Sequence, residues 1–224
     1  MKRNFDQLNA ALLECRLCPR LVTWRESVAQ TRRKAYLDQP YWGRPVPGLG
    51  DHKARILIVG LAPGAHGSNR TGRMFTGDAS GDFLYPALFK ANFANQPTAH
   101  ANNDGLELKD VFISAVCRCA PPGNKPDQSE ITTCLPWLAE EISLLDNLQG
   151  FVVLGRIAYD GIRTLFSGLL PKDGFSHGSL HQIGENGLWV LCSYHPSRQN
   201  TQTGRLSKAM FDQIWEKAAQ LLKN

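Results

Sequence analysis

A glycine-rich polar loop that directly follows a short apolar segment constrains the fold of this chain more than any other feature. Residues 56–59 are apolar, and GLAPGAHGSNRTGRMFTGD follows at 60–78. Such a loop is expected at the carboxyl end of a strand in an open α/β sheet, where these sheets bind their ligands. The loop lacks the lysine of a Walker phosphate loop and the glycine spacing of a dinucleotide fingerprint. The sequence therefore predicts an α/β ligand site of another kind.

Strand-like and helix-like segments alternate through the rest of the chain. We predict strands at 55–60, 111–116, 151–154 and 188–193, and helices at about 80–93, 128–147, 156–167 and 207–222. This alternation is typical of a parallel sheet covered on both faces. The predicted fold is a single three-layer α/β/α domain over residues 1–224, with a mainly parallel four-stranded central sheet. Right-handed crossovers would bring the loops after these strands to one edge, so we expect 60–78, 117–127 and 195–205 to share a pocket.

Local signals mark the ends of several helices. Asn4 and Gln7 form a capping-box pattern before a first helix, and Asp127 and Glu130 form another before the helix at 128–147. Pro136 is expected to kink or restart that helix. Residues 21–38 are predicted to be helical, and 40–50, with three prolines and three glycines, are predicted to be a loop.

The charge of the chain suits a polyanionic partner without requiring one. The 224 residues carry a formal net charge of +5. No apolar run is long enough to span a bilayer, and the amino terminus has no signal-peptide pattern, so we expect a cytoplasmic protein with no membrane partner. The basic run at 32–34 is interpreted as a solvated helix face. The arginines of the two polar loops are instead expected to contact a ligand: Arg70, Arg73, Arg198 and Arg205. For Arg70, as for Asn69 and Thr71, the alternative is that it fixes the loop internally.

The cysteines indicate a metal site. Cys15 and Cys18 form a CxxC motif, and Cys117, Cys119, Cys134 and Cys192 follow it. In a cytoplasmic chain this usage favours metal over disulfides. Four thiolates bind either zinc or an iron-sulfur cluster, and the spacing alone does not separate the two. Cys192 lies within an apolar strand and is expected to be a small buried hydrophobic residue.

Two long motifs resemble those of a known family. GLAPG followed downstream by HPS resembles the signature motifs of the uracil-DNA glycosylase superfamily. The longer forms, GAHGSNRTGRMFTGD and HPSRQNTQTGRL, resemble its family 5, the type-b, iron-sulfur branch. YWGRPVPGLGD at 41–51 and CAPPGNKP at 119–126 also resemble that family, so the resemblance runs from about residue 15 to residue 206.

The resemblance implies a DNA base-excision repair enzyme that works as a monomer. It would hydrolyse the N-glycosidic bond of uracil, and of other deaminated bases such as hypoxanthine and xanthine, and leave an abasic site in DNA. We expect no lyase step, because neither motif contains a lysine. The resemblance also implies a 4Fe-4S cluster that serves structure, with Cys15, Cys18, Cys119 and Cys134 as its ligands. Cys117 departs from the family pattern and competes with Cys119 for the third position.

The resemblance further implies roles for the pocket residues. Phe75 would stack on the extruded base, unless it is only a core anchor of the loop, and His195 would donate a hydrogen bond to the departing base. His66 is a second candidate for that donor. Many members of the superfamily carry Asp or Asn where this chain has Ala62, and Asp78 resembles the acid that takes over in family 5.

Other polar residues of the loops have less specific roles. Asn124 is a further catalytic candidate, while Asp82 is a competing carboxylate that we interpret as a first-turn residue of the next helix. Strict uracil enzymes place an Asn where this chain has Ala115, so broad base specificity is expected. The base-binding set is then Gly60, Ala62, Phe75 and Ala115. The residues expected on the DNA, if they do not merely cap a helix, are Ser197, Arg198, Asn200, Thr203 and Arg205.

Two other functions stay open from the sequence. Because the usual acid of the first motif is replaced by Ala62, the chain is alternatively a non-catalytic, metal-stabilised nucleic-acid-binding protein on the same fold. A more distant alternative is a hydrolase of free nucleosides.

Overall fold

The computed structural model describes residues 3–184 and 187–222. Over these ranges the chain forms one sheet of six strands in the order β1-β3-β2-β4-β6-β5. The strands are β1 Leu49–Gly50, β2 Ile56–Gly60, β3 Val111–Ala115, β4 Gly150–Leu154, β5 Leu180–Ile183 and β6 Leu188–Ser193. The four central strands are mutually parallel, and β1 and β5 pair antiparallel at the two edges. The predicted parallel sheet of four strands is thus confirmed, with two edge strands added.

Helices cover both faces of the sheet. In the described part of the chain they are α1 Phe5–Leu13, α2 Pro19–Thr31, α3 Ser68–Thr71, α4 Gly81–Lys90, α5 Gln128–Leu144, α6 Arg156–Leu165, α7 Arg198–Gln202 and α8 Lys208–Leu221. Short 3-10 turns lie at Lys34–Tyr36 and Pro122–Asn124. None of these helices is long and apolar enough to cross a membrane.

Successive residues of each central strand point into different cores. In β2, Ile56 and Ile58 pack with α4 and α8 on one face, whereas Leu57 and Val59 pack with α5 and α6 on the other. Both sets are fully buried, which explains why a parallel strand of this kind is apolar throughout. The result is the predicted three-layer α/β/α architecture.

Most of the helix signals are confirmed, with two exceptions. Both capping boxes form, at Asn4 with Gln7 and at Asp127 with Glu130. Of the two outcomes expected at Pro136, a kink or a restart, the restart is wrong, since α5 continues through this residue. The helix predicted over 21–38 ends at Thr31, where the next residue, Arg32, has a left-handed φ of 52°.

The two edge strands are too short and too weakly patterned to be read from the sequence. β1 is two residues long and ends at Gly50, where a Cβ atom would lie 2.4 Å from the carbonyl oxygen of Val111. β5 has only one buried residue, Ile183. Neither the glycine-rich segment of β1 nor the half-exposed segment of β5 therefore shows the alternation of apolar and polar residues by which a strand is recognised in a sequence.

Candidate active site

One cleft of about 700 Å³ opens at the carboxyl ends of β2, β3 and β6. The three loops predicted to meet do line it together. It contains every residue proposed from the sequence for catalysis or base binding: Gly60, Ala62, Phe75, Asp78, Ala115, Asn124 and His195. Ser197 and Arg198 line it as well, whereas Asn200, Thr203 and Arg205 do not.

The loop after β2 is shaped around Phe75. This residue has a left-handed φ of 51°, which is unusual for a bulky side chain and is typical of strained functional positions. Its ring lies over Gly60, where a Cβ atom would be 2.9 Å from Cζ, and its carbonyl oxygen lies against Gly81. Phe75 belongs to the core and also lines the cleft. The two interpretations of Phe75, core anchor and cleft wall, are therefore compatible.

The carboxylate of Asp78 has two differently used oxygens. Oδ1 accepts hydrogen bonds from the backbone N–H groups of Ser80 and Gly81, at 3.0 and 3.2 Å. Oδ2 lies against Gly64 and Gly67, where added Cβ atoms would sit 2.8 and 2.0 Å from it. The two glycines thus make the space that holds this oxygen at the cleft, a role that their spacing alone did not suggest.

The charge state of Asp78 depends on opposing contributions. Burial raises the pKa of Asp78, and the negative charge of Asp82 raises it further, while the two backbone donors lower it. Asp82 itself is exposed in the first turn of α4 and does not line the cleft. Its side chain therefore influences Asp78 through its charge, while its backbone N–H donates to the carbonyl oxygen of Asp78 at 3.0 Å.

His195 lies across the cleft from the first loop. Its ring is 6.0 Å from the ring of Phe75, with an angle of 29° between the planes. Burial lowers the pKa of His195 to about 4, so the imidazole is neutral at neutral pH. A neutral imidazole has one N–H to donate. The backbone of His195 is fixed by Asn200, whose side-chain amide donates to its carbonyl oxygen at 2.8 Å.

His66 and Asn124 complete the polar lining of the cleft. Nδ1 of His66 lies 2.9 Å from the hydroxyl of Tyr41, and burial lowers the pKa of His66, as do the charges of Arg33 and Arg70. Asn124 ends the 3-10 turn after β3, has a left-handed φ of 57° and is exposed. Both side chains therefore reach the cleft from loops rather than from the sheet.

The two arginines of the first loop form hydrogen bonds and an ion pair within the protein. The expectation that they contact a ligand is therefore wrong, and the alternative held for Arg70, that it fixes the loop internally, is confirmed. Arg73 is buried and binds both carboxylate oxygens of Asp104, at 2.8 and 2.7 Å. Arg70 donates to the carbonyl oxygens of His66 and Gly77 and to the side chain of Gln39. The sequence alone cannot distinguish an arginine that bonds within the protein from one that contacts a ligand, because the partners Gln39 and Asp104 lie 31 residues away along the chain.

The basic run at 32–34 lies beyond the end of α2, so its interpretation as a helix face is wrong. Arg33 and Tyr36 line the cleft, and Arg33 is exposed. Lys125 and Arg198 are exposed cations on the same lining. Three positive side chains from three loops therefore surround the opening of the cleft.

The second polar loop is held by short-range hydrogen bonds. Ser197 caps α7 and accepts from the backbone N–H of Asn200. The hydroxyl of Thr203 donates to the carbonyl oxygen of Gln199 at 2.7 Å. Arg205 lies 4.6 Å above the ring of Tyr194 and is exposed. Ser197, Asn200 and Thr203 thus shape the loop, while Arg198 and Arg205 are exposed and the guanidinium of Arg205 rests on Tyr194.

A separate pocket lies between α1, α2 and α5. Cys15, Cys18, Cys119 and Cys134 all line it, together with apolar side chains such as Leu12 and Trp137. Cys117 does not line it but packs in the core beside Cys134, to which its thiol is hydrogen-bonded, and Cys192 packs in the same core. Over residues 3–184 and 187–222, no three His, Cys, Asp or Glu side chains are already gathered as metal ligands. The four thiols therefore share a pocket without forming a closed shell.

Comparison with known proteins agrees with this arrangement. The family model of the Uracil DNA glycosylase superfamily matches residues 47–219. A type-5 uracil-DNA glycosylase of Mycobacterium leprae is 51% identical over 220 residues, which cover 97% of this chain and 96% of the relative. A type-5 uracil-DNA glycosylase of Thermus thermophilus is 50% identical over 210 residues, 94% of each chain.

A type-4 relative is less similar. The type-4 uracil-DNA glycosylase of Pyrobaculum aerophilum is 34% identical over 160 residues, which cover 70% of this chain and 74% of the relative. The resemblance that the motifs suggested, including its type-5 branch, is therefore confirmed.

Proposed function

Since the chain belongs to the uracil-DNA glycosylase superfamily, in its type-5 branch, we propose that it hydrolyses the N-glycosidic bond of uracil in DNA and leaves an abasic site. The observation that carries this proposal is the meeting of Phe75, Asp78 and His195 in one cleft. A base inside a duplex is out of reach, so the enzyme extrudes the nucleotide at a cost of a few kcal/mol or meets it in a single strand. The ring of Phe75 then offers an apolar face on which the base stacks.

Asp78 is the residue we assign to the attacking water. Ala62 has no polar group to orient a water molecule, whereas Asp78 lines the cleft. Its Oδ1 is held by two backbone donors and its Oδ2 lies against Gly64 and Gly67. A carboxylate in this position orients the nucleophile and offsets the positive charge that develops on the sugar. Asn124, exposed on the neighbouring loop, is the second polar group within the cleft that we assign to catalysis.

His195 acts on the leaving base. Because burial keeps the imidazole neutral, it donates one hydrogen bond to the oxygen on which negative charge collects as the base departs. A donor aimed at developing charge contributes roughly 3–4 kcal/mol to lowering the barrier. The stacking contact with Phe75 supports a fixed ring orientation for that donor.

We also propose that DNA lies across the opening of the cleft as the substrate of a monomeric enzyme. The exposed cations Arg33, Lys125 and Arg198 surround the opening, where they would contact phosphates on both sides of the extruded nucleotide. Arg205 lies outside the cleft lining and would contact the strand further along. Ser197, Asn200 and Thr203 would support this face mainly by shaping the loop.

Base specificity is proposed to extend to hypoxanthine and xanthine. Ala115 is buried at the end of β3 and offers no amide to read a pyrimidine edge. A site that hydrogen-bonds its substrate rejects analogues by orders of magnitude, and this position has no such group. Uracil release without detectable release of hypoxanthine or xanthine would contradict this part of the proposal.

The reaction is proposed to stop at the abasic site. A lyase step needs an amine that attacks the sugar, and neither long motif contains a lysine. Lys125 does line the cleft, but it is exposed at the opening. Borohydride should therefore trap no covalent adduct with uracil-containing DNA. An adduct that disappears in Lys125→Ala would contradict this proposal.

The cysteine pocket is proposed to hold a 4Fe-4S cluster on Cys15, Cys18, Cys119 and Cys134. The donor set fits, because these four thiols line one pocket. Cys117 does not line it, although its thiol is hydrogen-bonded to Cys134. The cluster would stabilise the fold by joining the CxxC segment to α5 and to the loop after β3. About four irons per chain and broad visible absorption are expected, and Cys119→Ser should lose both while Cys117→Ser keeps them. A colourless protein with one zinc would contradict the cluster.

Cleavage of a uracil-containing oligonucleotide, followed by alkali, tests the function. Under single-turnover conditions Asp78→Ala should lower the rate about 10²–10⁴-fold, and His195→Ala should lower it about 10²–10³-fold. Neither change should alter iron content or much alter DNA affinity. Binding without strand breakage by the wild-type protein would favour the non-catalytic alternative, and activity on free deoxyuridine would favour a nucleoside hydrolase. A fully active Asp78→Ala beside an inactive Asp82→Ala or Asn124→Ala would move the water-positioning role.

A further inference from the structure

Arg25 is a buried cation beside the cysteine pocket that the proposed reaction does not use. Only 2% of its surface is exposed. Nη1 donates a hydrogen bond to Sγ of Cys119 at 2.9 Å, and Nη2 donates to the carbonyl oxygen of Cys15 at 3.2 Å. Both contacts are made to residues that line the pocket of the four thiols. The guanidinium therefore faces the proposed cluster ligands directly.

The charge of Arg25 is poorly balanced by the protein. Its nearest carboxylate oxygen, on Glu26, lies 3.8 Å away, and Glu26 is already bound by both terminal nitrogens of Arg16. Nε of Arg25 is buried and has no hydrogen-bond partner within the described residues. A buried charge is strongly unfavourable unless an opposite charge lies nearby. The fold thus places against a thiol a cation whose carboxylate partner is distant and shared with Arg16.

We propose that Arg25 is the counter-charge of the metal site, and that it sets the reduction potential and the oxidative lifetime of the bound cluster through its hydrogen bond to Cys119 Sγ. This inference rests on the proposed cofactor. Four thiolates leave a bound cluster or zinc ion with a net negative charge, which a guanidinium in contact with one ligand sulfur offsets. Hydrogen bonds to sulfur and local charge are among the main determinants of the potential of such clusters. Arg25 is a positioning residue and does not contact the substrate.

The backbone of Arg25 contacts the catalytic loop independently of its side chain. The carbonyl oxygen of Arg25 accepts a hydrogen bond at 3.2 Å from the side-chain amide of Asn69, a fully buried residue of α3. A substitution at position 25 keeps that carbonyl. Changes seen in a side-chain variant therefore report on the guanidinium rather than on the link to the loop.

Three variants of the full-length protein, purified without oxygen, test this inference. Arg25→Gln should make the midpoint potential of the cluster more negative, because a lost positive charge disfavours reduction, and visible absorbance should decay several-fold faster in air. Arg25→Lys keeps the charge and should restore most of both properties. Arg44→Gln removes a charge from an exposed side chain and should behave like the wild type. An Arg25→Gln protein with the wild-type potential and lifetime would overturn the proposal.

A measurement on the wild-type protein decides the matter even if Arg25→Gln does not fold. In reduced protein whose arginines carry ¹⁵N only in the guanidinium group, which leaves the backbone N–H of Arg118 beside Cys134 unlabelled, pulsed electron paramagnetic resonance should detect a nitrogen coupled to the cluster in the wild type but not in Arg25→Lys. Absence of the coupling in the wild type, or its persistence in Arg25→Lys, would overturn the proposal. If the purified protein holds zinc, the cluster proposal has failed, and Arg25 is then judged by metal retention. Faster zinc loss from Arg25→Gln than from Arg44→Gln would support it, and equal loss would overturn it. A protein without any metal would overturn both proposals.

Discussion

The two polar loops of the cleft are built in opposite ways. The loop at 60–78 is largely buried, and its arginines bond within the protein. Arg73 binds Asp104, and Arg70 donates to neighbouring carbonyl groups. The loop at 195–205 is mostly exposed, and both its arginines are exposed, with the guanidinium of Arg205 over the ring of Tyr194. The first loop is therefore held by bonds within the protein around Phe75 and Asp78, while the second loop, beyond its partly buried end at His195, presents charge to a partner. Similar arginine content in two motifs thus serves two different purposes.

The largest predicted effect tests whether the buried first loop positions Asp78, and it is a loss of catalytic rate on substitution of Gly67. A Cβ atom at this residue would lie 2.0 Å from Oδ2 of Asp78, so Gly67→Ala should displace the carboxylate. We expect the single-turnover rate to fall by about 10²-fold or more, as for loss of a positioned acid or base. The double variant Gly67→Ala with Asp78→Ala should be no slower than Asp78→Ala alone, because both changes remove the same function. Additive losses would mean that Gly67 does not act through Asp78.

The second prediction concerns the ion pair between Arg73 and Asp104, which holds the first loop. Arg73→Met leaves Asp104 without its bidentate partner and should lower the free energy of unfolding by about 3 kcal/mol. Arg205→Met, the comparable change in the second loop, should change it little, since Arg205 is exposed and contacts only the ring of Tyr194. Urea denaturation of both variants measures the difference. Equal stability losses would show that the two loops are not built differently.

The stability provided by this pair should also depend on pH. Burial alone would raise the pKa of Asp104, but Arg73 and three backbone N–H groups hold it well below its usual value. A carboxyl whose pKa is lowered on folding stabilises the protein above its unfolded pKa, and this contribution is lost as the pH falls towards the folded pKa. The stability difference between wild type and Arg73→Met should therefore shrink in strong acid.

The contrast between the loops also marks what the sequence could predict. The buried parallel strands were predictable because their apolar runs are continuous, and the meeting of three loops followed from the handedness of the crossovers. Phe75, Asp78 and His195 were found through motif resemblance, which fixes residues but not their geometry. The glycine cradle of Asp78, the Arg73–Asp104 pair and the contact of Arg25 with Cys119 depend on tertiary approach. No local sequence pattern indicates such contacts, because the two residues in contact lie far apart in the chain: Arg25 and Cys119 are separated by 94 residues.

A third prediction concerns the effect of the negative charge of Asp82 on the pKa of Asp78, the carboxylate of the first loop. Activity should fall as the pH drops through the raised pKa of Asp78, because only the ionised form orients the water. Asp82→Asn removes a negative charge that raises this pKa, so the acidic limb of the rate profile should move to lower pH. The rate above neutral pH should not change, since Asp82 lies outside the cleft lining. A limb that stays in place would assign it to a different group, such as a base on the DNA.

The smallest predicted effects lie on the second loop and on the rim that faces it, and they test whether these charges bind phosphate. Arg198 and Arg33 are exposed on the cleft lining, so each substitution to Ala should weaken DNA binding and flatten the log–log salt dependence by about 0.9 on duplex DNA. Arg205 lies outside that lining, and Arg205→Ala should flatten the slope less.

Lys53 is exposed just before β2, at the opposite edge of the sheet, and Lys53→Ala removes the same charge as a control. Single-turnover rates at saturating DNA should stay near the wild-type value in all four variants, because none of these side chains is assigned to the chemistry. If Arg198→Ala leaves the slope unchanged, or Lys53→Ala flattens it equally, the DNA does not cross the opening of the cleft, and the exposed charges of the second loop would need another explanation.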